Sequence, residues 1–115
     1  MIQVKLSTFL GSLLAVGLTC SALAVQAQDV AAADASIKAG KCGKCHAVDK
    51  EKTGPSYKKT AEKYKGKADA EAKLFTHLTT APKIKIDGEE EQHVKAKGDD
   101  ADTKNLVRYI LTRVK

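Results

Sequence analysis

The sequence contains no tryptophan, only two phenylalanines and three tyrosines, so aromatic side chains can supply little of a hydrophobic core. Arginine occurs only at positions 108 and 113. A chain so poor in base-stacking aromatics and arginine is not expected to bind nucleic acid. Two of the three cysteines, Cys42 and Cys45, form a single C-x-x-C pair, and no H-x-x-x-H pair follows it. This pattern argues against a four-ligand zinc site.

The first 27 residues are typical of a secretory signal peptide. Lys5 is their only charged side chain, an apolar run spans residues 6–25, and small residues before Ala27 resemble a signal peptidase site. Cleavage after Ala27 leaves one domain of residues 28–115, and cleavage after Ala24 is the alternative. We therefore expect a periplasmic protein.

Residues 1–27 also fit two alternatives to a cleaved signal. The apolar run is just long enough to span a bilayer as an uncleaved anchor, but the cleavage-type residues favour removal and no stable membrane insertion. Cys20 could be a lipoprotein site, but the residues before it, Gly17 to Thr19, match that context poorly. Removal of the signal leaves Cys42 and Cys45 as the remaining cysteines.

Lysine dominates the charge of residues 28–115. Of the 20 basic side chains only Lys5 precedes this domain, and none of the 14 acidic ones does, which leaves 19 basic against 14 acidic and a net charge of +5. Such a surface either attracts acidic partner proteins or is an ordinary solvated surface.

Residues 42–46 read Cys-Gly-Lys-Cys-His, the C-x-x-C-H signature of c-type haem attachment. In this chemistry Cys42 and Cys45 form thioethers with the porphyrin vinyl groups, and His46 becomes the proximal iron ligand. The single haem c would also supply the apolar body that the domain otherwise lacks. A disulfide and a thioredoxin-like redox pair are the alternatives, although the sequence near Cys42 is not strand-rich.

Periodicity and capping residues predict four helices. They span residues 30–41, 56–64, 70–80 and 99–115. Asp69 is the expected N-cap of the third helix. The last helix has acidic residues at its start, basic residues at its end, and an expected buried face of Leu106, Val107, Ile110, Leu111 and Val114. Residues 83–98 fit either a short hairpin or a wrapped loop.

With these features the chain resembles the short bacterial class I cytochromes c. The matching segments are residues 41–49, 53–57, 61–66, 70–74 and 106–111. The resemblance implies an all-α domain wrapped around one covalent haem, with the first and last helices crossing beside it. It also implies that the turn at Gly54 and Pro55 provides a carbonyl for the proximal imidazole, although the same residues also fit a plain turn.

The sequence departs from that family at the sixth iron ligand, which is usually a methionine between the third and last helices. The only methionine is Met1, in the predicted signal. Counted back from the last helix, His93 falls at the methionine position, so His46 and His93 are the predicted metal ligands. His77, a lysine or no ligand are the alternatives; His77 is interpreted as a surface residue on the polar side of the third helix, near Lys73.

These observations predict a monomeric, periplasmic, monohaem electron carrier of low potential, since two imidazoles favour ferric iron more than methionine does. Its partners would be acidic redox proteins, and no catalytic residue is required. The alternative is a haem-based sensor or ligand-binding protein in which nitric oxide or carbon monoxide displaces His93. A subunit bound permanently to an oxidoreductase would need an apolar patch that the sequence does not show.

Overall fold

A computed structural model describes residues 27–113. The predicted signal peptide up to residue 26, and Val114 of the predicted buried face, lie outside the described residues. Four helices and one hairpin follow in the order α1 (Val30–Ala39), α2 (Tyr57–Tyr64), α3 (Ala70–Thr80), β1 (Lys83–Ile86), β2 (Glu89–Gln92) and α4 (Asp100–Leu111). A short 3₁₀ turn, Cys42–Lys44, follows α1. This architecture confirms the predicted helical class and adds a small sheet to it.

The helices begin at short polar side chains that accept backbone hydrogen bonds. Asp29 caps α1 and Ser56 caps α2. Asp99 and Asp102 form a reciprocal capping box at the start of α4. Asp69 occupies the predicted N-cap position of α3, but its side chain makes no capping bond. It instead lies 2.8 Å from the Lys73 ammonium one turn later.

Helix α4 is the centre of the core, because α1, α2 and α3 all pack against it. The predicted residues Leu106, Val107 and Ile110 are buried, together with Tyr109. The start of α1 is also tied to α4, since Asn105 exchanges two hydrogen bonds with the backbone of Asp29, at 2.7 and 2.8 Å. Among residues 27–113, all helices fall short of the length and apolarity that crossing a bilayer requires.

The segment after α3 forms an antiparallel hairpin, one of the two predicted alternatives. Asp87 and Gly88 form its turn, both with positive φ, of 51° and 88°, as a two-residue type I′ connection requires. In β1 the isoleucines are half-buried and the lysines exposed, whereas β2 is exposed throughout. The hairpin therefore presents its apolar face, Ile84 and Ile86, to the cavity described below.

Candidate haem site

The C-x-x-C-H motif lies on a tight turn at the end of α1. Lys41 adopts a left-handed conformation with φ of 54°, which reverses the chain and starts the 3₁₀ turn. The carbonyl of Cys42 accepts hydrogen bonds from the backbone N–H groups of Cys45 and His46, at 3.1 and 2.9 Å. Both Cys42 and Cys45 are free thiols. The turn thus holds two thiols and an imidazole close together at one wall of the fold.

The loop before α2 orients the imidazole of His46. Its Nδ1 lies 2.7 Å from the Pro55 carbonyl oxygen. A carbonyl can only accept, so Nδ1 carries the proton and Nε2 keeps its lone pair. The Gly54 N–H donates to the Cys45 carbonyl at 2.8 Å, and a Cβ at position 54 would lie 2.8 Å from His46 Nδ1. Glycine is therefore required for the imidazole to occupy this position.

His93 lies opposite His46, in the segment between β2 and α4. Its backbone N–H donates to the Pro82 carbonyl at 3.0 Å, and the N–H of Ala96 donates to the Leu78 carbonyl at 2.9 Å. The Nδ1 of His93 lies 2.8 Å from the Val94 carbonyl oxygen, so this ring also keeps the lone pair on Nε2. The side chain of Gln92 donates to the Ala81 carbonyl. These bonds attach the segment to the end of α3.

The spacing of the two rings matches a metal ion held between imidazoles. The ring centres of His46 and His93 are 6.2 Å apart, and the ring planes make an angle of 47°. Imidazole–metal bonds are about 2.0–2.1 Å long, and each ring centre lies about 1.2 Å behind its nitrogen. Two imidazoles on opposite sides of one metal would therefore have centres about 6.4–6.6 Å apart. The 6.2 Å separation of the His46 and His93 rings is close to this value.

The interpretation of His77 as a surface residue is not supported. Its ring centre lies 4.4 Å from that of His93 at an interplanar angle of 63°, and the side chain is half-buried at the cavity wall. Three residues after Leu74, it lies at the edge of the apolar face of α3. The hairpin and the His93 segment fold over this edge, which helix periodicity alone does not indicate.

A cavity of about 690 Å³ separates these groups, a size suited to a large organic ligand. Cys42, Cys45 and His46 line one wall, and His77 and His93 the other. Apolar residues from three elements complete it: Leu74, Leu78, Ile84, Ile86, Leu106 and Ile110. Exposed lysines reach its rim, at positions 41, 59, 63, 85 and 95.

Burial shifts the pKa of four titratable groups in the cavity towards their neutral forms. It lowers the pKa of His93 and of His77, and for His77 the neighbouring His93 lowers the pKa further. Burial also raises the pKa of the Cys42 thiol and of the Tyr57 hydroxyl. A neutral imidazole has the free lone pair that a metal ligand needs.

The residues present fit a haem. Within residues 27–113 no group of three or more His, Cys, Asp or Glu side chains is arranged to hold a bare metal ion. Tyr57, the first residue of α2, is not among the predicted site residues, but it lines the cavity and is 6% exposed. Its hydroxyl has no hydrogen-bond partner in the described part of the chain. A buried donor of this kind costs about 1–3 kcal/mol unless a bound group accepts from it.

Comparison with known proteins agrees with this site. The family model for cytochrome c matches residues 30–113. The chain is similar to the crystal structure of the class 1 cytochrome MtoD from Sideroxydans lithotrophicus ES-1, with 53% identity and a TM-score of 0.75 over 77% of this chain and 100% of MtoD. It is also similar to wild-type cytochrome c552 of Nitrosomonas europaea, with 29% identity and a TM-score of 0.58 over 69% of this chain and 96% of that one.

A comparison with curated proteins gave no match. The family model alone covers most of the chain, and the solved structures share its fold over 77% and 69% of its length. The chain therefore belongs to the cytochrome c family, whose members carry one covalent haem c, and Cys42 and Cys45 have the spacing of its attachment site.

Proposed function

We propose that this cytochrome c is a periplasmic one-electron carrier in which His46 and His93 are the two axial ligands of the haem iron. The observation that carries the proposal is the 6.2 Å separation of the two ring centres. In both rings Nδ1 donates a hydrogen bond to a backbone carbonyl. The lone pair of each Nε2 is therefore free to bind a metal. When bound, the haem iron supplies a reversible one-electron oxidation and reduction.

The other site residues hold this arrangement. Cys42 and Cys45 would attach the haem covalently, and the Pro55 carbonyl would keep the His46 imidazole in the tautomer that presents Nε2. Gly54 would leave room for that ring. Two strong nitrogen donors keep the coordination sphere complete in both oxidation states, which suits electron transfer more than chemistry at an open position.

Ligation by two imidazoles implies a low reduction potential. Methionine raises the potential of c-type haem by favouring ferrous iron, and Met1 is the only methionine in the sequence. The oxidised protein should therefore also lack the long-wavelength charge-transfer absorption that sulfur ligation produces.

The surface fits an acidic partner. Lysines 41, 59 and 63 reach the rim of the cavity, and residues 28–115 carry a net charge of +5, 19 basic against 14 acidic side chains. The large exposed apolar residues of the described part, Val30, Val48 and Val94, are far apart in sequence. We therefore infer transient, charge-steered docking by a monomer, and export through the predicted signal peptide places it in the periplasm.

The decisive experiment is His93→Ala in the purified haem protein. We expect the low-spin spectrum to become high-spin or weakly ligated, and cyanide or carbon monoxide to bind readily. His77→Ala is the comparison variant for the spin state alone and should stay low-spin, because His77 is also a half-buried histidine of the same cavity wall. If His93→Ala keeps the wild-type low-spin spectrum, the proposed ligation is wrong.

The same reagents separate a carrier from a sensor. A carrier with a complete coordination sphere should be nearly inert when carbon monoxide or nitric oxide is added to the reduced wild type. Rapid, complete binding would instead identify a sensor whose His93 is displaced by the ligand.

A further inference from the structure

All three histidines of the sequence meet in one cavity, and the ligation proposed above uses only two of them. The third, His77, lies on α3, and its ring contacts that of His93 at 4.4 Å with an edge-to-face angle of 63°. Edge-to-face packing is a preferred geometry for aromatic rings and is worth more than the area it buries. This contact is therefore a specific one and is more than simple proximity.

The remaining contacts of His93 leave its ring plane poorly defined. The bonds from His93 N–H to Pro82 and from Ala96 N–H to Leu78 attach the backbone to α3. In the described part of the chain the ring forms one hydrogen bond, which Nδ1 donates to the carbonyl of the next residue, Val94. That bond orients the ring only relative to its own segment, which has no regular secondary structure. The ring would therefore move with the segment.

His77 connects the ring to a rigid part of the fold. Helix α3 packs against α4, and Leu74 and Leu78, whose apolar face His77 borders, belong to the buried core cluster. A side chain on this helix has a fixed position relative to the cavity. Its ring can therefore restrain rotation of the His93 imidazole in a way that the local backbone cannot.

We propose that His77 is a positioning residue, whose ring sets the plane of the His93 imidazole and slows its displacement by external ligands. The proposal rests on the proposed function, because it requires His93 to be the sixth ligand. The role needs a flat ring at position 77 and does not need a ligating nitrogen.

The test compares His77→Ala with His77→Phe in the holoprotein. Phenylalanine keeps an aromatic ring for the edge-to-face contact but cannot ligate iron or titrate. Thr76→Ala is the matched control, since Thr76 is an exposed neighbour in the same turn of α3. The readouts are the electron paramagnetic resonance g-values of the oxidised protein, which depend on the angle between the ligand planes, and the rate of cyanide binding. Circular dichroism verifies that each variant is folded.

We expect His77→Ala to shift the g-values and to accelerate cyanide binding roughly 2- to 12-fold, the range that corresponds to loss of one aromatic pair. His77→Phe should restore both properties to near wild type, and Thr76→Ala should leave both unchanged. If His77→Ala matches wild type, or if Ala and Phe deviate equally, the positioning role is overturned.

His93→Ala, measured in parallel, separates this failure from a failure of the proposed function. Loss of the low-spin spectrum in His93→Ala with an unaffected His77→Ala overturns positioning alone. Retention of that spectrum in His93→Ala overturns the proposed ligation. If His77→Ala and His77→Phe lose it while His93→Ala does not, His77 is itself the ligand and both proposals are wrong.

Discussion

The proximal side of the site depends on one residue that has no side chain. Gly54 lies directly against the His46 ring, and its own N–H is bonded to the carbonyl of Cys45. The same loop provides the Pro55 carbonyl that accepts a hydrogen bond from Nδ1 of His46. One short turn therefore sets both the position and the tautomer of the imidazole.

Gly54→Ala should displace that imidazole. The new Cβ would lie 2.8 Å from Nδ1 and 3.1 Å from Nε2 of His46, too close for either group to remain in place. We expect a loss of about 1–3 kcal/mol in unfolding free energy, as is usual when a packed site is overfilled, and a larger high-spin fraction in the oxidised spectrum.

Gly43→Ala is the matched control for this substitution. It lies in the same motif region, but a Cβ at position 43 would meet nothing within 4 Å. An unchanged spectrum in both variants would contradict the steric role assigned to Gly54.

His93→Met tests the electronic consequence of the proposed ligation. Axial ligand identity adjusts haem potentials over about 0.8 V across proteins, and methionine favours the ferrous state. We expect an increase in potential on the order of 100 mV, together with a charge-transfer band that the wild type lacks. Protein-film voltammetry measures the first and optical spectroscopy the second. An unchanged potential with no new band would show that position 93 does not ligate iron.

At the scale of elements, α4 contributes most to the core and has the most complete N-terminal cap. The Asp99 carboxylate accepts a hydrogen bond from the Asp102 N–H at 2.9 Å, and the Asp102 carboxylate accepts one from the Asp99 N–H at 3.1 Å. Because α1, α2 and α3 all pack on α4, weakening its first turn should affect the whole domain.

Asp99→Ala should therefore lower the unfolding free energy by about 1 kcal/mol, the usual cost of losing an N-cap. Asp100→Ala is the control, since it removes the same charge from the same turn but is not part of the capping box. That control should cost only a few tenths of a kcal/mol, through the helix dipole. Thermal unfolding of both variants measures the difference, and equal losses would mean that charge alone matters.

The elements that depend on local signals could be predicted from the sequence, and the contacts between them could not. Caps and periodicity placed all four helices within a few residues, because these signals come from neighbours in the chain. The hairpin stayed undecided, since Lys83–Ile86 alternates but β2 is polar throughout. His77 was misplaced because its partner, His93, is 16 residues away and meets it only after the chain folds.

At the scale of the whole molecule, charge should govern encounter rates. Residues 28–115 carry 19 basic and 14 acidic side chains, a net of +5, and the rim lysines surround the cavity mouth. Electron exchange with an anionic reagent such as ferricyanide should slow by about tenfold or more between low and high salt, as the Debye length falls from about 30 Å at 0.01 M to about 3 Å at 1 M. A cationic cobalt complex is the control and should show the opposite dependence.

The cavity is large relative to the domain that encloses it. Without haem the apolar residues that line its 690 Å³ would face water instead of the porphyrin, and the domain would lose their contribution to burial. Small domains have only about 5–15 kcal/mol of total stability, so the chain is not expected to retain this fold without its haem.

The double variant Cys42→Ala/Cys45→Ala, which cannot attach haem covalently, should therefore lose its cooperative thermal transition and most of its helical circular dichroism. Adding haemin should restore part of the helical signal, because His46 and His93 remain available on the two walls of the cavity. Restoration should fail when His93→Ala is combined with the double variant. A haem-free double variant that still unfolds cooperatively near the wild-type temperature would show that the polypeptide packs without the cofactor, and that the few aromatic residues of the core suffice.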